Sequence, residues 1–171
     1  MSPVEDPALL EDAAALHAAV GDLVRLYQVR DREKICCHDI SVTQCSALEA
    51  LVERGPMRSQ ALAEVLMLDK STTTRVIDAL VRKQYVARTP ALDDRRAVTL
   101  RATAAGRRLY QRIERELVAQ QAAVLADLGS AARQAAIEVV RRLAAASQAR
   151  FRAGESCAPA CTSVDAAGPC G

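Results

Sequence analysis

The segment from Lys70 to Lys83 divides into a polar opening and an apolar remainder, and that division constrains the chain more than any other feature. Lys70, Ser71, Thr72, Thr73, Thr74 and Arg75 come first, and Val76, Ile77, Leu80 and Val81 follow at helical spacing. Such a helix buries its later side chains in a core and leaves its first turn projecting. A shorter helix precedes it, with Leu62, Ala63, Val65 and Leu66 as its apolar set and Ser59 as the expected cap. The turn Met67-Leu68-Asp69 joins the two. Tyr85 to Thr89 and Ala97 to Arg101 have strand character, and the charged, turn-rich tip from Pro90 to Arg96 separates them. The order is helix, short turn, helix, then a β-hairpin with a basic tip.

Helices flank this lobe on both sides. Residues 7 to 33 read as one long helix on which Leu9, Ala13, Leu16, Val20, Leu23 and Tyr27 form a narrow heptad-like stripe. The stripe suits either a helix of a second subunit or an ordinary core. After a break at Lys34 to Ile40, Ser41-Val42-Thr43-Gln44 is a capping box that opens a helix ended by Gly55-Pro56. Thr103 can cap a helix from about Ala104 to Leu128; Gly129 interrupts, and Ser130 starts a last helix to about Arg152. The resulting fold class is mostly α with a small β-hairpin wing. Four regions follow: 1–40, a long helix and loop; 41–102, a winged helix-turn-helix; 103–153, two further helices; 154–171, a cysteine-containing tail.

The hairpin and the polar helix start have complementary uses on duplex DNA. The second helix of such a pair can enter the major groove, where its first side chains meet base edges. The hydroxyls of Ser71, Thr72 and Thr73 can bond bases or phosphates, and Lys70 and Arg75 add positive charge. Arg95 and Arg96 at the tip can enter the adjacent minor groove. Separately, the Ser–Thr run fits a solvated helix start and the arginines an exposed turn. Together, one strand apart, they point to DNA. Between Arg58 and Arg101 there are nine Lys and Arg against five Asp and Glu, a positive excess in a chain whose net charge is only +2.

Composition narrows the alternatives. Three tyrosines, one phenylalanine and no tryptophan leave no aromatic platform for stacking single-stranded bases. No run of about eighteen apolar residues occurs, so no membrane association is expected. The acidic start lacks the basic and apolar regions of a secretory signal, and the expected location is the cytoplasm. There is no Gly-rich phosphate loop, Gly-x-Ser-x-Gly or His-Glu-x-x-His, so an enzyme is not expected.

The stretch Leu68-Asp69-Lys70-Ser71-Thr72-Thr73-Thr74-Arg75-Val76-Ile77-Asp78-Ala79-Leu80 resembles the recognition helix of the multiple antibiotic resistance regulators, the MarR family. Asp93-Asp94-Arg95-Arg96-Ala97-Val98, followed by Leu100, Thr103 and Gly106-Arg107, resembles that family's wing and the start of the next helix. The resemblance implies that Arg96 is a minor-groove residue and that Asp94 holds the wing. It also implies a homodimer joined through the N- and C-terminal helices, which represses by occupying a pseudo-palindromic operator in double-stranded DNA. A small effector, an ion or an oxidation event would then alter the spacing of the two lobes.

The six cysteines suggest what is sensed. Cys36, Cys37 and His38 lie near Cys45, where the first helix meets the second, and Cys157, Cys161 and Cys170 lie in the tail. Without a signal peptide, reduced thiols are expected rather than a disulfide framework. Cys45 falls in the first turns of a capped helix, a position that lowers a thiol's pKa. The favoured expectation is ligation of a soft metal or metalloid (arsenite, antimonite, copper) or an iron–sulfur cluster by Cys36, Cys37 and Cys45, with a tail cysteine of either subunit available to complete the set. Oxidation of the thiols is the other option. His38 is a candidate ligand, whereas His17, between apolar positions on the long helix, reads as structural.

Overall fold

The computed structural model describes residues 6–90 and 98–152. Its order is α1 (Pro7–Cys36), α2 (Val42–Glu53), β1 (Met57–Arg58), α3 (Ser59–Leu66), α4 (Lys70–Arg82), β2 (Val86–Pro90), β3 (Val98–Ala102), α5 (Ala104–Leu125) and α6 (Ser130–Arg152). The chain divides into two compact units between Gln120 and Gln121.

In the first unit, the helix starts follow their capping chemistry. Asp6 caps α1 through the backbone N–H of Ala8, with Pro7 in the first turn. The expected capping box forms at α2: Ser41 Oγ accepts from Gln44 N at 3.2 Å, and Gln44 Oε1 accepts from Ser41 N at 3.3 Å. Ser59 does not cap α3. It is the helix's first residue; Arg58 precedes it in extended conformation and makes no side-chain cap bond. The reason is that Met57 and Arg58 are drawn into a strand, so the helix starts as soon as pairing ends.

That strand, unexpected from the sequence, makes the hairpin a three-stranded antiparallel sheet ordered β1-β3-β2. Met57 pairs with Leu100 and Arg58 with Thr99; on the other edge Val86 pairs with Ala102 and Pro90 with Val98. Val86, Leu100 and Ala102 turn inward, and alternate residues stay wet. The core gathers on Leu48, Leu62, Ile77, Leu80, Leu100 and Ile113, all essentially inaccessible. Each such side chain contributes roughly 1.5–3 kcal/mol of hydrophobic stabilisation. Gly106 seats α5 on this core, because a Cβ there would lie 2.2 Å from the Tyr85 carbonyl oxygen and 3.2 Å from Leu48 Cδ2.

The N-terminal stripe is exposed among the described residues. Leu9, Leu16, Val20 and Leu23 are each more than 40% exposed, and Ile35 is the one buried residue of α1. α1 also runs past its expected end at residue 33, to Cys36, because Ile35 anchors the last turn in the core. In the second unit, α6 likewise leaves Ile137, Val140 and Leu143 exposed. Among the described residues, no helix is long and apolar enough to cross a membrane.

Candidate nucleic-acid interface

Two backbone conformations set the start of α4. Met67 is left-handed (φ 52°) and ends α3, and Asp69 in extended conformation begins the next helix. The Asp69 carboxylate accepts from Thr72 N at 2.9 Å, from Thr72 Oγ1 at 2.6 Å and from Ser71 Oγ at 2.6 Å. These bonds, the Ser71 hydroxyl foremost, hold its carboxyl well below the usual carboxylate range. Lys70, Ser71, Thr74 and Arg75 are exposed, and Thr72 is half-buried.

Thr73 departs from expectation. Its side chain is fully buried, and its hydroxyl donates to the Asp69 carbonyl at 2.8 Å, so it is not available to a base or phosphate. The helical period explains this: Thr73 shares its face with Val76, Ile77 and Leu80, all buried.

Further along, Arg75, Asp78, Val81, Arg82 and Arg88 line an open groove of about 530 Å³ between α4 and β2. Asp78 Oδ1 accepts from Arg88 Nη2 at 2.5 Å, tying the recognition helix to the first strand of the hairpin. Sequence reading missed Asp78, Arg82 and Arg88. The first two were findable, since they lie three and seven residues after Arg75 on one helical face; the partner across the strand was not. Asp94, Arg95 and Arg96 lie outside the described residues.

The three described cysteines differ in exposure. Cys36 and Cys37 are exposed, whereas Cys45 is only 6% exposed. Cys45 faces the core, and burial, with the carboxylates of Glu49 and Asp31 adding to it, pushes its thiol up to about 11. The expected lowering by the helix start is overridden, because desolvation penalises a thiolate more than the helix dipole favours it. Among the described residues, no three His, Cys, Asp or Glu side chains gather as a metal site. Cys157, Cys161 and Cys170 lie outside the described residues. His38 Nε2 sits 3.3 Å from Glu116 Oε2, while His17 is exposed rather than packed.

Cys45 instead lines an open cavity of about 270 Å³ among α1, α2 and α5. Asp31, Glu49, Glu53 and Glu114 supply carboxylates to its walls, and Ile35 and Ile113 an apolar side. Tyr110 Oη donates to Glu53 Oε1 at 2.8 Å. Glu49 is held above its ordinary range by desolvation first and then by Glu53 and Glu114, with Arg54 opposing.

Residues 40–98 match the model of the MarR family. An uncharacterized HTH-type transcriptional regulator of Bacillus subtilis (strain 168), YpoP, is 32% identical over 85 residues; the match spans 49% of this chain and 60% of that protein's length. A MarR family protein from Bacillus stearothermophilus has the same fold, with a TM-score of 0.75 at 23% identity over 81% of this chain and 96% of that one. The transcriptional regulator BldR from Sulfolobus solfataricus gives 0.67 at 20% identity, over 80% of this chain and 96% of that one. The matched segment, α2 to the start of β3, carries the capped helix, the buried Thr73 face and the Arg-lined groove. Residues 40–98, the winged helix-turn-helix, are thus similar to the MarR family, and the fold is that of the MarR proteins named above.

Proposed function

We propose that this protein is a DNA-binding transcription regulator, a repressor that acts as a homodimer on a pseudo-palindromic operator in the cytoplasm, and not an enzyme. One observation carries the reading: the exposed first turn of α4 and the Arg-lined groove beside it form a single polar, cationic face on the winged lobe. Its two-fold pairing is supported by the uncovered α1 stripe and the exposed apolar residues of α6. Half-sites would lie about one helical turn apart, so that both recognition helices enter successive major grooves. Lys70, Ser71 and Thr72 contact the major groove, Arg75 the phosphates at its edge, and Arg95 and Arg96, with Asp94 bracing the tip, the minor groove. The test is selection of duplexes from a random pool by the purified protein, followed by binding measurements with Arg75→Ala and Arg96→Ala. Both variants should bind more weakly and with a shallower salt dependence. Wild-type binding and salt slope retained in both would refute the assignment.

Control of binding by thiols is proposed for the exposed neighbours Cys36 and Cys37, joined in a soft-ion complex (arsenite, antimonite, copper(I)) or an iron–sulfur cluster by tail cysteines or by a second subunit. Oxidation of the same thiols is the competing mode. A small-effector reading is favoured by the carboxylate-walled cavity, whose like charges a cationic ligand would relieve. Release of DNA by arsenite or copper(I), lost in Cys36→Ser, supports ligation. Release by peroxide alone, reversed by a dithiol, supports oxidation, and release by neither leaves the cavity as the effector site.

A further inference from the structure

The exposed hydroxyls at the start of α4 have their protons committed. Ser71 Oγ is 2.6 Å from Asp69 Oδ1, Thr72 Oγ1 is 2.6 Å from Asp69 Oδ2, and Thr74 Oγ1 is 2.8 Å from the Lys70 carbonyl oxygen. An ionised carboxylate and a carbonyl only accept, so in each bond the hydroxyl is the donor. A hydroxyl has one proton, and what these three present outward is lone pairs. The same carboxylate answers the Thr72 backbone N–H and so takes the place at the helix start that a phosphate could fill, with Lys70 beside it offsetting its charge.

An independent feature locates the phosphates elsewhere. Arg75, Arg82 and Arg88 line the groove further along α4 and β2, against the single carboxylate of Asp78. Anionic backbone is drawn there.

We infer that the start of α4 reads exocyclic amino groups, adenine N6 or cytosine N4, through Ser71, Thr72 and Thr74 acting as acceptors, while the sugar–phosphate backbone follows the groove of Arg75, Arg82 and Arg88. The inference rests on the DNA-binding reading above. Those two amino groups are the donors that bases show in the major groove; guanine shows N7 and O6 and thymine O4, all acceptors. A hydroxyl with a free proton serves either kind of edge. These three do not, and a thymine or guanine beneath them sets lone pair against lone pair.

The full-length, reduced protein first selects a duplex from a random pool. Each adenine of the selected half-site is then replaced by purine, which lacks the N6 amino group, and each cytosine by 2-pyrimidinone, which lacks N4. Removing one amino group that the protein reads is expected to weaken binding about 3- to 10-fold. Ser71→Ala or Thr74→Ala is expected to erase that dependence at one position while the other positions keep theirs. Asp69→Asn, which lets the hydroxyl protons be reassigned, is expected to tolerate thymine or guanine where the wild type requires an amino group. Binding that depends on no amino group, or a dependence that all three variants leave intact, overturns the inference and leaves the DNA-binding reading standing. A protein that selects no duplex overturns both.

Discussion

At the scale of single residues, burial decides what a side chain can do, and burial is the quantity least visible in sequence. A place near a helix start suggests an outward chemistry for both Cys45 and Thr73. Each instead faces the core, because the helical period puts it in register with Leu48 or with Val76 and Ile77. For Cys45 the consequence is testable. The folded protein holds the thiol proton more tightly than the unfolded chain, whose ordinary value is 9.0. The stability this contributes is fully present below about pH 9 and is lost as pH rises toward about 11. Thermal melting should therefore fall across that window, and Cys45→Ala should melt lower at neutral pH yet show a shallower alkaline decline. Peptide mapping after brief alkylation at neutral pH should find Cys36 and Cys37 modified and Cys45 intact. For Thr73, valine fills the same space, and the Asp69 carbonyl keeps the Thr73 backbone N–H at 3.0 Å. Thr73→Val should cost only about 0.5–1.5 kcal/mol by chemical denaturation and leave the selected DNA sequence unchanged.

At the scale of elements, the helices are legible in the sequence through their apolar period, with end signals that hold at some termini and fail at others. The Ser41 capping box stands as a local pattern and forms, whereas the cap expected at Ser59 does not. Pairing between distant segments leaves no such local mark. β1 is only Met57 and Arg58, too short to show an alternation, and it exists because Leu100 and Thr99 offer a free edge more than forty residues later. The Asp78–Arg88 pair has the same character: one charge on a helix, the other on a strand, joined only by the fold. Gly106 is the sharpest case of such a distant constraint. A side chain there is excluded by the Tyr85 backbone, which cannot yield as a flexible side chain would. Gly106→Ala should lower stability by about 1–3 kcal/mol or more and detach the start of α5 from the lobe. Loss of amide protection around Thr103 to Tyr110 in hydrogen exchange would register that detachment. A variant as stable as the wild type would contradict this packing.

At the scale of the whole molecule, the exposed stripe on α1 bears on the proposed homodimer. Apolar side chains at Leu16, Val20 and Leu23 would be costly if left to water in one row. The stripe is visible in the sequence, but not the surface that covers it, since a heptad pattern serves a core helix and an intersubunit helix equally. Leu16→Glu combined with Leu23→Glu should shift the protein to monomers in sedimentation equilibrium while the winged lobe keeps its helical signal. DNA affinity should fall as well, because two half-sites are then no longer held by one particle. If the Arg-lined face of the winged lobe grips duplex DNA, binding depends steeply on salt. Anisotropy titrations of a selected duplex, over a range of salt, should give a linear fall of log affinity with log salt. In Arg88→Ala that slope should be shallower by about 0.9 for each phosphate that the variant no longer neutralises. A wild-type protein that binds no duplex, or an Arg88→Ala slope equal to the wild type's, would contradict the account.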